Sequence, residues 1–215
     1  MNLRPFQKIT FAGAMVAAFT FTACADNKQQ AAGDAAQEDH ASMDHAEMNH
    51  SATPGKVVVE TPNYASAGDP VKQQLAQLLG SYLRLKDALV ASDTEQVQVE
   101  AQAVLAAAEK VEITGLAEEQ QQFATEKLDE VKQSASKMAA ATDVTAQREN
   151  LDLLSEATFS LTKAFGASDQ KLFYQHCPMA NNDQGGYWLS SSAEIRNPYF
   201  GEQMLKCGST EESIN

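Results

Sequence analysis

Cysteine is scarce in this chain of 215 residues, and basic residues are outnumbered by acidic ones. The three cysteines stand at positions 24, 177 and 207. None forms Cys-x-x-Cys, so a thioredoxin-like motif is excluded, and without Cys-x-x-Cys-His so is covalent haem attachment. Sixteen Lys and Arg face 29 Asp and Glu, a formal net charge of −13. A chain this acidic lacks the basic stripes that phosphate backbones require, so no nucleic-acid partner is expected. It also lacks the charge to dock on anionic lipid headgroups. Histidine is missing between positions 51 and 175. That excludes the Glu-x-x-His pairs of di-iron helical proteins over most of the chain. Ser190–Ser192 carry no nucleophile-elbow pattern. The apolar run Ile9 to Thr22 is too short for a convincing membrane-spanning helix.

The middle of the chain is periodic. Asp69 is placed as an N-cap with Pro70 in the first turn, followed by Val71, Leu75, Leu78, Tyr82, Leu85 and Leu89 at 3–4 spacing. Ser92-Asp93 opens a second helix carrying Val97, Ala101, Val104, Ala108 and Val111, ended by Thr114-Gly115. A third runs from Ala117 to Ala141 with Ala124, Leu128, Val131, Ala135 and Met138 on one stripe. Asp143 opens a fourth, with Leu151, Leu154, Thr158, Leu161 and Phe165 inward and Gly166 as its stop. Leu83, Phe123, Leu153 and Phe159 broaden the stripes. Four amphipathic helices with short breaks predict an all-α fold, an antiparallel four-helix bundle. Residues 172–208 are expected to form a small irregular lobe leaning on it. Met138 reads as core, and no helix gathers ligands.

The ends of the chain differ from this middle. Arg4 and Lys8, the apolar run, and Phe21-Thr22-Ala23-Cys24 resemble a bacterial lipoprotein signal. That implies a signal peptide over 1–23 and lipidation of Cys24; an ordinary signal peptide cut near Ala23 is the alternative. Residues 24–66 read as a flexible tether and 67–215 as the folded domain. The expected location is the cell envelope, facing the periplasm, with the outer membrane favoured and contact with lipid through the anchor only. Within the tether a five-residue repeat places His40, Met43, His45, Met48 and His50 in strict register. Imidazole and thioether together suit Cu(I) and Ag(I), so the tract is a candidate metal-binding segment. It resembles the His/Met repeats of periplasmic silver- and copper-binding proteins.

The C-terminal segment holds the remaining unusual residues. His176, Cys177 and Met179 are followed by Met204 and Cys207. Thiolate and thioether are ligands for soft metals, which makes these five candidates for a Cu(I) or Ag(I) site. The competing reading is a Cys177–Cys207 disulfide, natural in an oxidising compartment and worth about 3–4 kcal/mol in the chain-entropy model. Trp188, Tyr187, Tyr199 and Phe200 read as lobe core. A thiol enzyme is disfavoured, because no base-orienter pair accompanies either cysteine.

Cys177-Pro178-Met179-Ala180, Gly186, Trp188-Leu189-Ser190, Ile195, Asn197-Pro198-Tyr199-Phe200-Gly201, Met204 and Cys207-Gly208 resemble the signature of a bacterial family, domain of unknown function 3347. The helical region from Pro70 has the length and character of the rest of that domain. Members occur as secreted or lipid-anchored proteins and fused to periplasmic adaptors of copper/silver efflux pumps, which implies heavy-metal handling. Cys-Pro-Met is also similar to the Cys-Pro-Met-His opening of small heavy-metal-binding domains, with Ala180 here in place of the histidine. The expected function is sequestration of copper or silver, or its transfer to an efflux adaptor. The alternative is a disulfide-stapled interaction module without metal in its lobe.

Overall fold

The computed structural model describes residues 58–214. The signal segment, Cys24 and the tract His40, Met43, His45, Met48 and His50 lie outside the described residues. The described chain is mostly helical, and no helix in it is long and apolar enough to cross a membrane.

Four long helices carry the predicted stripes: α1 Asp69–Val90, α2 Thr94–Glu109, α3 Glu118–Ala140 and α5 Leu151–Phe165, with a short α4, Val144–Arg148, before the last. Each long helix packs on its predecessor, and α5 packs on both α3 and α1. The stripe residues are buried as their 3.6-residue period requires, from Leu75 and Leu85 in α1 to Met138 in α3 and Phe165 in α5. Leu153 departs from expectation: it is 41% exposed, while Phe159, expected beside the stripe, is fully buried.

The helix boundaries follow local chemistry. Asp93 accepts the Gln96 amide at 3.0 Å and starts α2. Asp143 does the same for Ala146 at 2.9 Å. Asp69 is not a cap; it is the first residue of α1, and the cap position is Gly68. The second helix stops at Glu109, short of the expected Thr114-Gly115. The Glu112 amide instead donates to Gln74 Oε1 on α1 at 2.8 Å. The expected fourth helix is two. Asn150 Nδ2 donates to the Ala146 carbonyl at 3.0 Å, and the chain bends before α5. An Asn side chain competing for a helix carbonyl interrupts the backbone ladder. Gly166 closes α5 at φ +61°.

The fold is not all-α, and the C-terminal lobe is not irregular. Three antiparallel strands, β1 Leu172–Cys177, β2 Gly186–Ser190 and β3 Ser209–Ile214, form a sheet in the order β2-β1-β3. The connection from β1 to β2 turns through Asn181, Asn182 and Asp183, all at positive φ. Asn and Asp tolerate that left-handed conformation better than most residues. The other connection carries a 3-10 turn, Gly201–Met204.

The sheet shares the core of the helices. Tyr174 of β1 stacks on Phe159 of α5, ring centroids 4.3 Å apart. The outer edge of β2 is sealed by the helices. The Leu189 amide donates to Tyr82 Oη at 3.0 Å, and the Tyr187 amide to Asp152 Oδ1 at 2.7 Å. Tyr82 Oη lies 2.8 Å from Ser155 Oγ, which donates onward to the Leu151 carbonyl. Tyr199 Oη donates to the Tyr187 carbonyl at 2.8 Å. An edge strand with its polar groups satisfied offers no template for another chain. Burial pushes the Tyr82, Tyr174 and Tyr199 hydroxyls above their ordinary range, so all three stay neutral.

The lead-in to the helices is held from β3. Buried Glu212 accepts the Val58 amide at 2.8 Å and the Val59 amide at 3.3 Å, and pairs with Lys163 of α5. Lys163 Nζ also donates to the Val59 carbonyl at 2.6 Å. Val58-Val59 is therefore an extended lead-in, not a strand.

Candidate thiol site

Cys177 is the last residue of β1, the central strand. Alternation along a strand puts Gln175 and Cys177 on one face and Tyr174 and His176 on the other. Trp188, paired with Gln175 across β2, shares the first face and donates from Nε1 to Gln175 Oε1 at 2.8 Å. Buried Gln175 also donates from Nε2 to the Ser192 carbonyl at 3.1 Å. Its amide thus fixes the start of the loop that later returns to the same face.

That loop delivers Cys207, and Asn197 is its hub. The fully buried Asn197 donates from Nδ2 to the Cys207 carbonyl at 2.9 Å. Its Oδ1 accepts the Tyr199 amide at 2.8 Å, its own amide donates to the Leu205 carbonyl, and its carbonyl accepts the Gly201 amide. Gly208 then lets the chain pass β1. Its φ is +138°, and a Cβ there would stand 2.7 Å from the His176 carbonyl oxygen and 2.9 Å from Trp188. With that approach allowed, Cys207 reaches its partner.

The two sulfurs are 3.1 Å apart, and both cysteines are free. Cys177 is fully buried, and Cys207 is half-buried. A disulfide holds its sulfurs at about 2.05 Å. The observed separation is longer than that bond, so closing a disulfide requires an adjustment of the loop carrying Cys207.

The hydrogen bond with Cys177, then burial, then repulsion from a Cys177 thiolate push the Cys207 thiol up to about 11. In the reduced protein, thiolate absorbance from Cys207 is expected to grow in near pH 11 and to move toward the ordinary 9.0 in Cys177→Ala. An unmoved titration in the variant would remove the thiol pair as the cause. The folded chain holds this proton to higher pH than the unfolded chain does. Its contribution to stability is therefore full below about pH 9 and lost by about pH 11.

Of the other expected ligands, His176 is not gathered with the thiols. His176 lies on the opposite face, its ring 4.3 Å from Tyr187 and directly over Gly185. Met179 is 45% exposed and lines a groove with Arg148, Tyr199 and Phe200. Met204 is half-buried, and its link to Cys207 is through backbone, its carbonyl accepting the Cys207 amide at 3.0 Å. Among the described residues no three His, Cys, Asp or Glu side chains form a metal-holding group. Sequence reasoning missed Gln175 and Asn197. Buried amides leave no periodic trace, although Asn197-Pro198 is legible as the start of a turn.

Comparison with known protein families finds a similarity through the helices. A family described as Protein of unknown function (DUF3347) matches residues 78–170. The match supports the family resemblance through the helices and ends before β1, so the Cys-Pro-Met and Asn-Pro-Tyr-Phe-Gly segments lie outside it. No curated protein and no solved structure matches.

Proposed function

We propose that this chain is a lipid-anchored protein of the periplasm that binds copper or silver, with Cys177 and Cys207 as its central ligands. The observation that carries this reading is the free thiol pair at 3.1 Å, one sulfur buried and the other partly open to solvent. Two convergent thiols are a donor set for Cu(I) or Ag(I), and soft thioether and imidazole groups repeat upstream in the sequence. On this reading the helices, taken as an antiparallel four-helix bundle, are scaffold and not enzyme. The His40–His50 tract captures metal weakly and raises its local concentration near the thiol pair. Met179 and Met204 are the proposed additional ligands, with His176 as an outside candidate. An efflux adaptor is the proposed recipient, and Cys24 carries the anchor.

The test is a titration of the reduced full chain with Cu(I) against a chromogenic competing chelator. Cys177→Ser/Cys207→Ser is expected to lose the tighter class of sites, and deletion of residues 40–50 the weaker class. If neither change alters stoichiometry or affinity, the metal-binding reading fails.

The same separation favours a second reading, in which the pair is a disulfide staple and the domain an envelope interaction module. Thiol counting on protein isolated without reductant separates them: no free thiol at 177 and 207 supports the staple, and two support the metal site.

A further inference from the structure

A second cleft lies between the C-terminal turns of α1 and the loop that follows β2. It has a volume of about 540 Å³, within the range of small-molecule sites. Lys86 lines it and is only 5% exposed. Lysines this buried are rare unless paired. Its ammonium bonds to Oδ1 of the next residue, Asp87, which is itself largely exposed. An ammonium has three donors and no acceptor. Asp87 is its one hydrogen-bond partner among the described residues, so donor capacity is left over inside the cleft.

Arg196 and Ser191, both from the chain that follows β2, line the same cleft. Its guanidinium makes no hydrogen bond among the described residues and acts on Glu194 only through space. Glu202 and Asp87 are the acidic groups of the lining. The cleft thus balances two cations against two anions on a chain whose net charge is −13. It is a local island where an anion is not repelled. Ammonium and guanidinium can only donate, so whatever completes them must be an acceptor. The planar guanidinium suits two oxygens at once.

We propose that this cleft binds the oxyanion group of a small molecule, a carboxylate or a phosphate, between Lys86 and Arg196. Neither cysteine lines it, although Ser192 and Leu205, whose carbonyls help hold the thiol loop, do.

The experiment follows backbone amide and Arg196 Nε–H resonances of the full chain while acetate, inorganic phosphate or chloride is added at constant ionic strength. Saturable shifts confined to Lys86, Ser191 and Arg196 are expected with acetate or phosphate and not with chloride. The better of the two oxyanions identifies the group. Arg196→Gln, at an exposed position and so expected to fold normally, should weaken the midpoint by about tenfold, the loss of one charge-assisted hydrogen bond. Lys86→Met keeps the apolar stem and should weaken it by a similar factor. Unsaturable shifts, equal effects of chloride, or an unchanged midpoint in Arg196→Gln would each overturn the proposal. An unfolded Lys86→Met leaves the decision to Arg196→Gln.

Discussion

Trp188→Ala is expected to cost about 3–5 kcal/mol of unfolding free energy, the range for removing a large aromatic from a packed core. Trp188 has the largest of the fully buried side chains. It lies edge-on to Tyr199 at 6.2 Å, bonds to Gln175, and sits against Gly208. Removing it vacates space on the sheet face that carries Cys177 and orphans Gln175 Oε1 at once. The measurement is chemical denaturation of the reduced protein, paired with alkylation kinetics at Cys177. Alkylation should quicken well beyond the global loss of stability, because the exposed face is the thiol face. Trp188→Phe separates the parts. It keeps most of the volume and loses the donor, and should cost about 1–3 kcal/mol, the penalty of one buried acceptor left unpaired. Equal costs for the two variants would show that packing contributes little here.

Asn197→Ala is the second large effect, expected at about 2–4 kcal/mol because it leaves the Cys207 carbonyl and the Tyr199 amide without partners. Its consequence is local as well as global. Asn197 is what holds the returning loop against β1, so the sulfur–sulfur separation should widen and become heterogeneous. Readouts are the thiolate titration of Cys207, which should fall toward ordinary thiol values, and the rate of oxidation to a disulfide, which should slow. Asn197→Asp is the control. It retains an acceptor for the Tyr199 amide and loses the donor to Cys207. It should reproduce the thiol effects, while its stability records the added charge. A normal Cys207 titration in both variants would show that Asn197 does not position the thiol.

The helical face pattern was legible because burial on a helix repeats every 3.6 residues, and a stripe such as Val71-Leu75-Leu78-Tyr82 has no other simple reading. What the pattern could not resolve was where one helix becomes two. The break at Asn150 depends on a side chain capturing the Ala146 carbonyl, and Asn is common in surface helical positions without doing so. Nor could it show that Leu153 faces outward, since a stripe widened by one residue is still amphipathic. The strand Ser209–Ile214 was invisible for a different reason. Its sequence is polar, its one buried residue is Glu212, and it is held to β1 by backbone hydrogen bonds that any residue can make.

The candidate site divides in the same way. Scarcity made Cys177 and Cys207 conspicuous, and their chemistry suggested either a soft-metal pair or a disulfide. Composition and spacing alone also determined that the chain is acidic and helical in its middle. Only the tertiary structure decided that the intervening chain folds back to bring two sulfurs 30 positions apart in sequence within 3.1 Å. It also decided that His176, adjacent in sequence to Cys177, stands on the far side of the sheet. The reason is that side-chain direction in a strand reverses at every residue, while proximity across a loop depends on the hydrogen bonds and close approaches at Asn197 and Gly208. Those contacts are between residues distant along the chain, and no local pattern encodes them.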